Sequence, residues 1–127
     1  MRVVLFADGS ADGLADGLAA EGISLEAVTL PAKPGAPSIA ALVSSLRGAE
    51  EALTGDAPEA VLVAGEGDEA LAAALTAVKL QIPTGWLGPA EDSLLGRLAD
   101  ASVDATAPAA DLASAVRGLA ARTIPAP

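Results

Sequence analysis

Hydrophobic residues along this chain fall into short unbroken runs separated by longer stretches with helical spacing. Residues 2–7 form a nearly continuous apolar run, which is typical of a parallel strand covered on both faces. A helix is predicted over 11–21, because Ser10 or Asp8 can cap its start and Gly22 supplies a stop signal. Residues 23–30 alternate between apolar and polar types, which predicts a half-exposed edge strand.

The remaining elements are predicted to alternate in the same way, after a stiff loop at 31–37 that contains three prolines. The predicted strands are 61–63, 82–87 and a weak one at 102–105. The predicted helices are 38–53, 68–79, 92–99 and 109–121. The helix at 68–79 is almost entirely apolar, which predicts that it is covered on several sides.

Strict alternation of strands and helices predicts the α/β class with a parallel sheet. We expect a three-layer Rossmann-like or flavodoxin-like sheet of about five strands, in the order 2-1-3-4-5, with helices on both faces. A chain of 127 residues is the size of one domain. No boundary is evident, so we expect a single domain over 1–122 and a tail at 123–127.

The composition predicts a core of small side chains. Hydrophobic residues make up 52% of the chain, but the aromatic residues are only one Phe and one Trp. Small side chains bury little area each, so we expect modest stability for an isolated copy. A homodimer would help, with the helix at 38–53 or the Ala-rich helix from Ala109 pairing across a two-fold axis.

Charge and missing residue types exclude several classes of function. The net charge is −10, so nucleic acid and anionic membranes are poor partners. His, Cys and Tyr are absent, which removes thiolate sites, histidine ligands and the commonest general base. We therefore expect no metal and no cofactor. No apolar run reaches the ~18–20 residues of a membrane span, and the start is too short for a secretion signal, so a cytoplasmic location is expected.

Candidate ligand-binding residues follow the predicted strands, since open α/β sheets bind ligands beyond the carboxyl ends of their strands. They are Asp8, Gly9, Ser10, Gly65, Gly67, Asp68, Trp86 and Glu91. Trp86 has two interpretations. It is either a packing residue at the rim of the core or a platform on which a sugar stacks.

The segment Gly65–Ala70 matches G-x-G-x-x-A, a weak form of the dinucleotide-binding fingerprint. It follows the third strand rather than the first, and it places Glu66, Asp68 and Glu69 where a pyrophosphate would sit. The alternative is a plain strand-to-helix turn. Asp68 would then cap the helix, and the acids would favour its positive end.

Residues 29–104 resemble the N-terminal Rossmann-like domain of the non-hydrolysing UDP-N-acetylglucosamine 2-epimerases. That family has a K-P-G loop, then P-D-x-V-L-V-H-G-D-T, L-A-A-A-L, K-I-P-V-G-H and R-L-A-D. The corresponding segments here, in the same order, are 33–35, 58–67, 71–75, 81–86 and 97–100.

The resemblance implies a UDP-sugar ligand and, in an enzyme, isomerase chemistry. It places the family's H-G-D aspartate on Glu66, which is therefore the candidate catalytic residue. The family's essential arginine in the first loop has no counterpart in Ala7-Asp8-Gly9-Ser10, and its neighbouring histidine is replaced by Ala64. The family's V-E-A-G-L-R segment is reduced to Leu87-Gly88-Pro89-Ala90. Its E-x-x-N-R segment is shortened and leaves Glu91 and Asp92 without a matching arginine. The family's UDP-binding C-terminal half has no counterpart.

Three hypotheses of function remain open. The favoured one is an epimerase-like domain without catalysis of its own that serves as a binding or interaction module. The second is half of a split sugar-nucleotide epimerase or related glycosyltransferase-type enzyme, completed by a separate UDP-binding chain. The third is a small sugar-nucleotide enzyme that uses Glu66. A receiver-like domain fits less well, because Asp8 lacks a second acid beside it and no lysine follows the late strands.

Overall fold

The computed structural model describes residues 2–7, 14–29, 39–54, 58–64, 68–87, 101–102 and 108–121. The helix predicted at 92–99 and the tail at 123–127 lie outside these residues. The strands are β1 (Arg2–Ala7), β2 (Ser24–Thr29), β3 (Ala60–Ala64), β4 (Thr84–Trp86) and β5 (Ala101–Ser102). The helices are α1 (Leu14–Ala20), α2 (Ile39–Leu53), α3 (Asp68–Lys79) and α4 (Ala109–Ala120).

The strands form one parallel sheet in the order β2-β1-β3-β4-β5. This confirms the predicted α/β class, topology and strand order. The fifth strand is only two residues long, so the first four strands make up almost all of the described sheet. In the register of the central strands, Ala7 of β1 is paired with Thr29 of β2 and with Ala64 of β3.

The two central strands, β1 and β3, are buried on both faces, and successive side chains of each strand point to opposite sides. Val3 and Leu5 of β1 belong to one hydrophobic cluster, and Val4 and Phe6 belong to a second. The same alternation continues in β3, where Leu62 joins the first cluster. The two central strands therefore supply both cores, which explains their unbroken apolar sequence.

Each core is closed by a pair of helices, as the predicted three-layer arrangement requires. The first core is completed by α1 and α4, through Leu18, Leu112, Val116 and Leu119. The second is completed by α2 and α3, through Ala49, Leu53 and the alanines at 70, 73, 74 and 77. The small side chains of α3 face the core, whereas its larger Leu75 and Val78 remain exposed. The outer side of α3 is thus exposed, whereas its apolar sequence predicts that other elements cover the helix on several sides.

Two helices end in the same hydrogen-bonded motif. After α1, the Gly22 amide donates to the Ala19 carbonyl and the Ile23 amide donates to the Leu18 carbonyl, with Gly22 at a φ of +82°. After α3, Gln81 takes the same left-handed position with a φ of 61°. This paired pattern is the Schellman motif, and it satisfies carbonyls that a helix end would otherwise leave unpaired.

The motif after α3 explains why β4 is shorter than the predicted strand at 82–87. The Ile82 amide donates to the Ala77 carbonyl and so still belongs to the helix end. Pro83 has no amide hydrogen to offer to a neighbouring strand. Strand pairing therefore begins at Thr84, a fully buried residue whose hydroxyl donates to the Ile82 carbonyl at 2.9 Å.

Within the part of the chain that the structure describes, no helix is both long and apolar enough to cross a membrane.

The helix ends yield a pair of substitutions with opposite expected effects. Gly22→Ala forces an L-residue into the left-handed region, so we expect a loss of about 1 kcal/mol of unfolding free energy. Gly118→Ala makes the same chemical change within α4, where an added Cβ meets nothing within 4 Å, and should stabilise by about 0.5–1 kcal/mol. Urea denaturation of both variants measures the two changes in unfolding free energy. Changes of the same sign would contradict the left-handed conformation of Gly22 as the reason for its effect.

Candidate functional site

The topology places one crevice at the carboxyl edge of the sheet, between β1 and β3. From β1 the chain moves to β2 on one side, and from β3 it moves to β4 on the other. Such a switch of direction is where open α/β sheets bind ligands. Ala7 and Ala64, the last residues of these two strands, are Cα partners, so the segments that follow them start from adjacent points.

Most of the candidate residues belong to the segments that start there. Asp8, Gly9 and Ser10 follow β1, and Gly65, Glu66 and Gly67 follow β3. All six lie outside the described residues, as does Glu91. The strand ends bring the starts of the two segments together, while the roles of these side chains remain predictions.

The glycine-bearing segment lies at a strand-to-helix transition, as the sequence predicts. Asp68 is the first residue of α3. Glu69 lies in the first helical turn and is half-buried. A helix start carries a partial positive charge, which stabilises an acid at this position. The position of Glu69 is therefore explained without a ligand.

Trp86 is the last residue of β4 and is only 5% exposed. It belongs to the second core and is the strand partner of Val63. Its ring therefore serves the packing of the sheet against α2 and α3. In this arrangement it offers little free surface to a sugar.

A small cavity of about 190 Å³ lies beside the crevice, between the ends of β1 and β2 and the two helices above them. Its walls are Phe6, Val28, Ser45, Gly48, Ala49 and Glu69. Ligand pockets usually occupy about 300–1,000 Å³, so this one is large enough only for a fragment of a sugar nucleotide. Its walls are mostly apolar, with one hydroxyl and one carboxylate.

The sequence analysis missed the α2 residues of this cavity. Ser45, Gly48 and Ala49 lie at i, i+3 and i+4, so they share one face of the helix. Three small residues on one face are the signal that could have revealed them, since they leave room beside a sheet.

The described positive charges lie mostly at the opposite edge of the sheet. Arg2 starts β1 and pairs with Glu26, with 2.7 Å between Nη2 and Oε2. Lys79 ends α3. Arg117, in the last turn of α4, donates from Nη2 to the Glu21 carbonyl oxygen. Arg47, within α2, is the remaining cation of the described residues.

The segments that leave the carboxyl edge are acidic in sequence. Residues 8–13, 30–38, 65–67 and 103–107, which follow β1, β2, β3 and β5, contain four acids and one base: Asp8, Asp12, Glu66, Asp104 and Lys33. The segment 88–100, which follows β4, adds three acids and one base: Glu91, Asp92, Asp100 and Arg97. A diphosphate needs cations or free amides around it, so the charge pattern opposes such a ligand. Nor do the described residues contain a cluster of acids able to hold a metal ion.

Comparison with known proteins gives a structural likeness and no sequence match. No family model matches the chain, and no curated protein matches it either. The structure is similar to that of S. aureus MnaA in a co-structure with UDP, with a TM-score of 0.60 and 18% sequence identity. The match covers 91% of this chain and 41% of that one. The chain thus spans about two-fifths of its neighbour's length, and the likeness establishes the fold.

The burial of Trp86 yields an expected optical signature. Trp86 is the only indole in the chain, so its emission should be shifted to shorter wavelength and should resist quenching by iodide. Addition of UDP-N-acetylglucosamine should leave the spectrum unchanged, because the ring is covered by protein. A spectrum typical of exposed tryptophan, or a saturable change with the sugar nucleotide, would show that Trp86 is available for stacking.

Proposed function

We propose that this chain is an epimerase-like Rossmann domain that works as a binding or interaction module and has no catalysis of its own. Support for the lineage comes from two directions. The sequence motifs resemble the N-terminal domain of a UDP-sugar epimerase family, and the fold resembles part of a protein whose structure was determined with UDP. Neither observation carries the activity of those proteins over to this chain.

The observation that carries the proposal is the charge at the carboxyl edge. The segments that follow β1, β2, β3 and β5 contain four acids and one lysine, and the segment after β4 adds three acids and one arginine. Three of the four described cations lie at the far edge. A diphosphate placed there would meet like charge with little compensation. Repulsion of this kind both weakens binding and removes the stabilisation that departure of a diphosphate requires.

The reaction of the family that the sequence resembles also requires particular groups at the site. Inversion at the sugar C2 by that route needs removal of a proton, elimination of UDP and its re-addition, so acid/base groups must flank the sugar. The chain contains no histidine, cysteine or tyrosine. Glu66 is the one carboxylate that the resemblance aligns with a functional residue. A lone carboxylate in an acidic surrounding is a poor basis for this reaction.

Calorimetric titration tests the proposal directly. With UDP-N-acetylglucosamine, and with UDP as the control ligand, we expect no binding tighter than a Kd of about 1 mM. Replacing an acid by a base at the crevice should raise the affinity for UDP, so Asp8→Arg is the informative variant. Glu59→Arg makes the same charge change just before β3, at the far edge, and should have no effect.

Deuterium incorporation at the sugar C2 tests the absence of catalysis separately. In heavy water, the chain should leave the C2 proton of UDP-N-acetylglucosamine unexchanged, as followed by proton NMR. Exchange that disappears in Glu66→Gln, with unchanged circular dichroism, would overturn the proposal and establish the small-enzyme hypothesis.

A second candidate is half of a split enzyme, completed by a separate UDP-binding chain. Its supporting observation is the coverage of 41% of the structural neighbour. This candidate requires that UDP affinity appear only when the partner chain is present. The tagged chain should then be retained on immobilised UDP from an extract of its own source and released by free UDP, but not retained after purification. Failure of retention in both conditions would exclude it.

A further inference from the structure

We propose that the cavity beside the crevice binds a small organic ammonium ion, that is, a primary amine with a compact apolar body. This inference rests on the proposed function, because it names the class of ligand that the binding module takes. The cavity has a volume of about 190 Å³ and lies between the sheet and the helices α2 and α3. Because a protein cavity of about 150 Å³ can hold benzene, this one has room for about six to eight non-hydrogen atoms.

The floor of the cavity is apolar and belongs to the sheet. It is formed by Phe6 of β1 and Val28 of β2, which are Cα partners in the parallel register. Phe6 is buried and Val28 is half-buried. Each is the last residue but one of its strand, so the floor lies at the carboxyl edge of the sheet. A ligand that covers this floor with apolar surface is stabilised by the area that it removes from water.

The polar groups of the cavity come from the two helices. Ser45 of α2 carries a hydroxyl, and Glu69 in the first turn of α3 carries a carboxylate. An ammonium group has three hydrogens to donate, and both side chains carry oxygens that accept. Glu69 is the only charged residue among the described residues that line the cavity. A cation beside Glu69, with an apolar body over Phe6, therefore matches both parts of the lining.

A metal ion is a poorer occupant than an organic ammonium ion. Hard cations such as Ca²⁺ take about six to eight oxygen ligands, whereas two of the side chains that line the cavity carry oxygen. Within the described part of the chain, no three acidic side chains come together in a way that could hold a metal. A bare ion would also leave the apolar floor uncovered.

The charge at this edge of the sheet favours a cation over an anion. The segments that leave the carboxyl edge contain more acids than bases, and the chain carries a net charge of −10. The potential that repels a diphosphate attracts a positively charged ligand and raises its local concentration. A neutral alcohol of the same shape gains nothing from this potential, and a carboxylate is repelled by it.

Gly48 leaves part of the cavity open. It lines the cavity between Ser45 and Ala49 on α2, and an added Cβ at this position meets nothing within 4 Å. A larger side chain can therefore enter the space that the ligand needs. We expect Gly48→Leu to block the cavity and leave the fold intact, because leucine has a higher helix propensity than glycine.

Amide chemical shifts of the 15N-labelled chain, followed at constant pH, test the proposal. Cyclohexylammonium is the probe, with cyclohexanol as the neutral control and cyclohexanecarboxylate as the anionic control. With the ammonium ion we expect saturable shifts at Val28, Ser45 and Ala49 and a Kd on the order of 1 mM. No saturation with cyclohexylammonium, or an equal affinity for cyclohexanol, would overturn the proposal.

Three variants assign the binding to the cavity. Glu69→Gln removes the charge and should weaken the binding of cyclohexylammonium about tenfold, and Gly48→Leu should abolish it. Glu50→Gln removes an exposed acid of α2 that lies outside the lining, and it should leave the affinity unchanged. Circular dichroism establishes that each variant is folded. An affinity that Glu69→Gln leaves unchanged would contradict the assigned role of this carboxylate and overturn the proposal.

A parallel titration with UDP separates this inference from the proposed function. If neither UDP nor cyclohexylammonium binds, the ammonium ligand is excluded and the proposed function stands. Saturable shifts with UDP at the crevice would instead contradict the proposed function, whatever the result with the ammonium ion.

Discussion

The structure depends on the burial of β1 and β3 on both faces. Their alternate side chains enter two separate cores, so both faces of each strand are covered and every position after Arg2 in β1, and every position in β3, is apolar. This constraint explains why two helix layers are needed. In the register of the sheet, β1, β2 and β3 end at the same level, since Ala7, Thr29 and Ala64 lie side by side.

The small residues of the chain determine how the second layer packs. The inner side of α3 contributes only small side chains to the second core, the alanines at 70, 73, 74 and 77. Little area is buried by each alanine, and the larger Leu75 and Val78 are left outside. The same composition that permits close packing thus leaves apolar surface uncovered. The cavity beside Ser45 and Gly48 arises from small residues in the same way.

Sequence patterns were sufficient for the fold class, the strand order and the bounds of α3, because apolar runs and helical spacing report burial directly. They were insufficient for β4, whose start is set by hydrogen bonds of Ile82 to the preceding helix and by Gln81 in a left-handed conformation. Neither feature changes the spacing of apolar residues along the sequence. For the candidate site, the sequence identified the ends of β1 and β3, which the sheet topology brings together. It did not identify the α2 residues that line the cavity, because their position depends on how α2 packs against the sheet.

The central functional proposal is that the carboxyl edge of the sheet, between β1 and β3, is too acidic to hold a diphosphate. Amide chemical shifts of the 15N-labelled chain, followed during titration with UDP, measure this residue by residue. We expect no saturable shifts at Ala7, Ala64 or the residues that follow them. Saturable shifts confined to residues 7–10 and 64–68 would contradict it, since they would show that the crevice between β1 and β3 still binds the nucleotide.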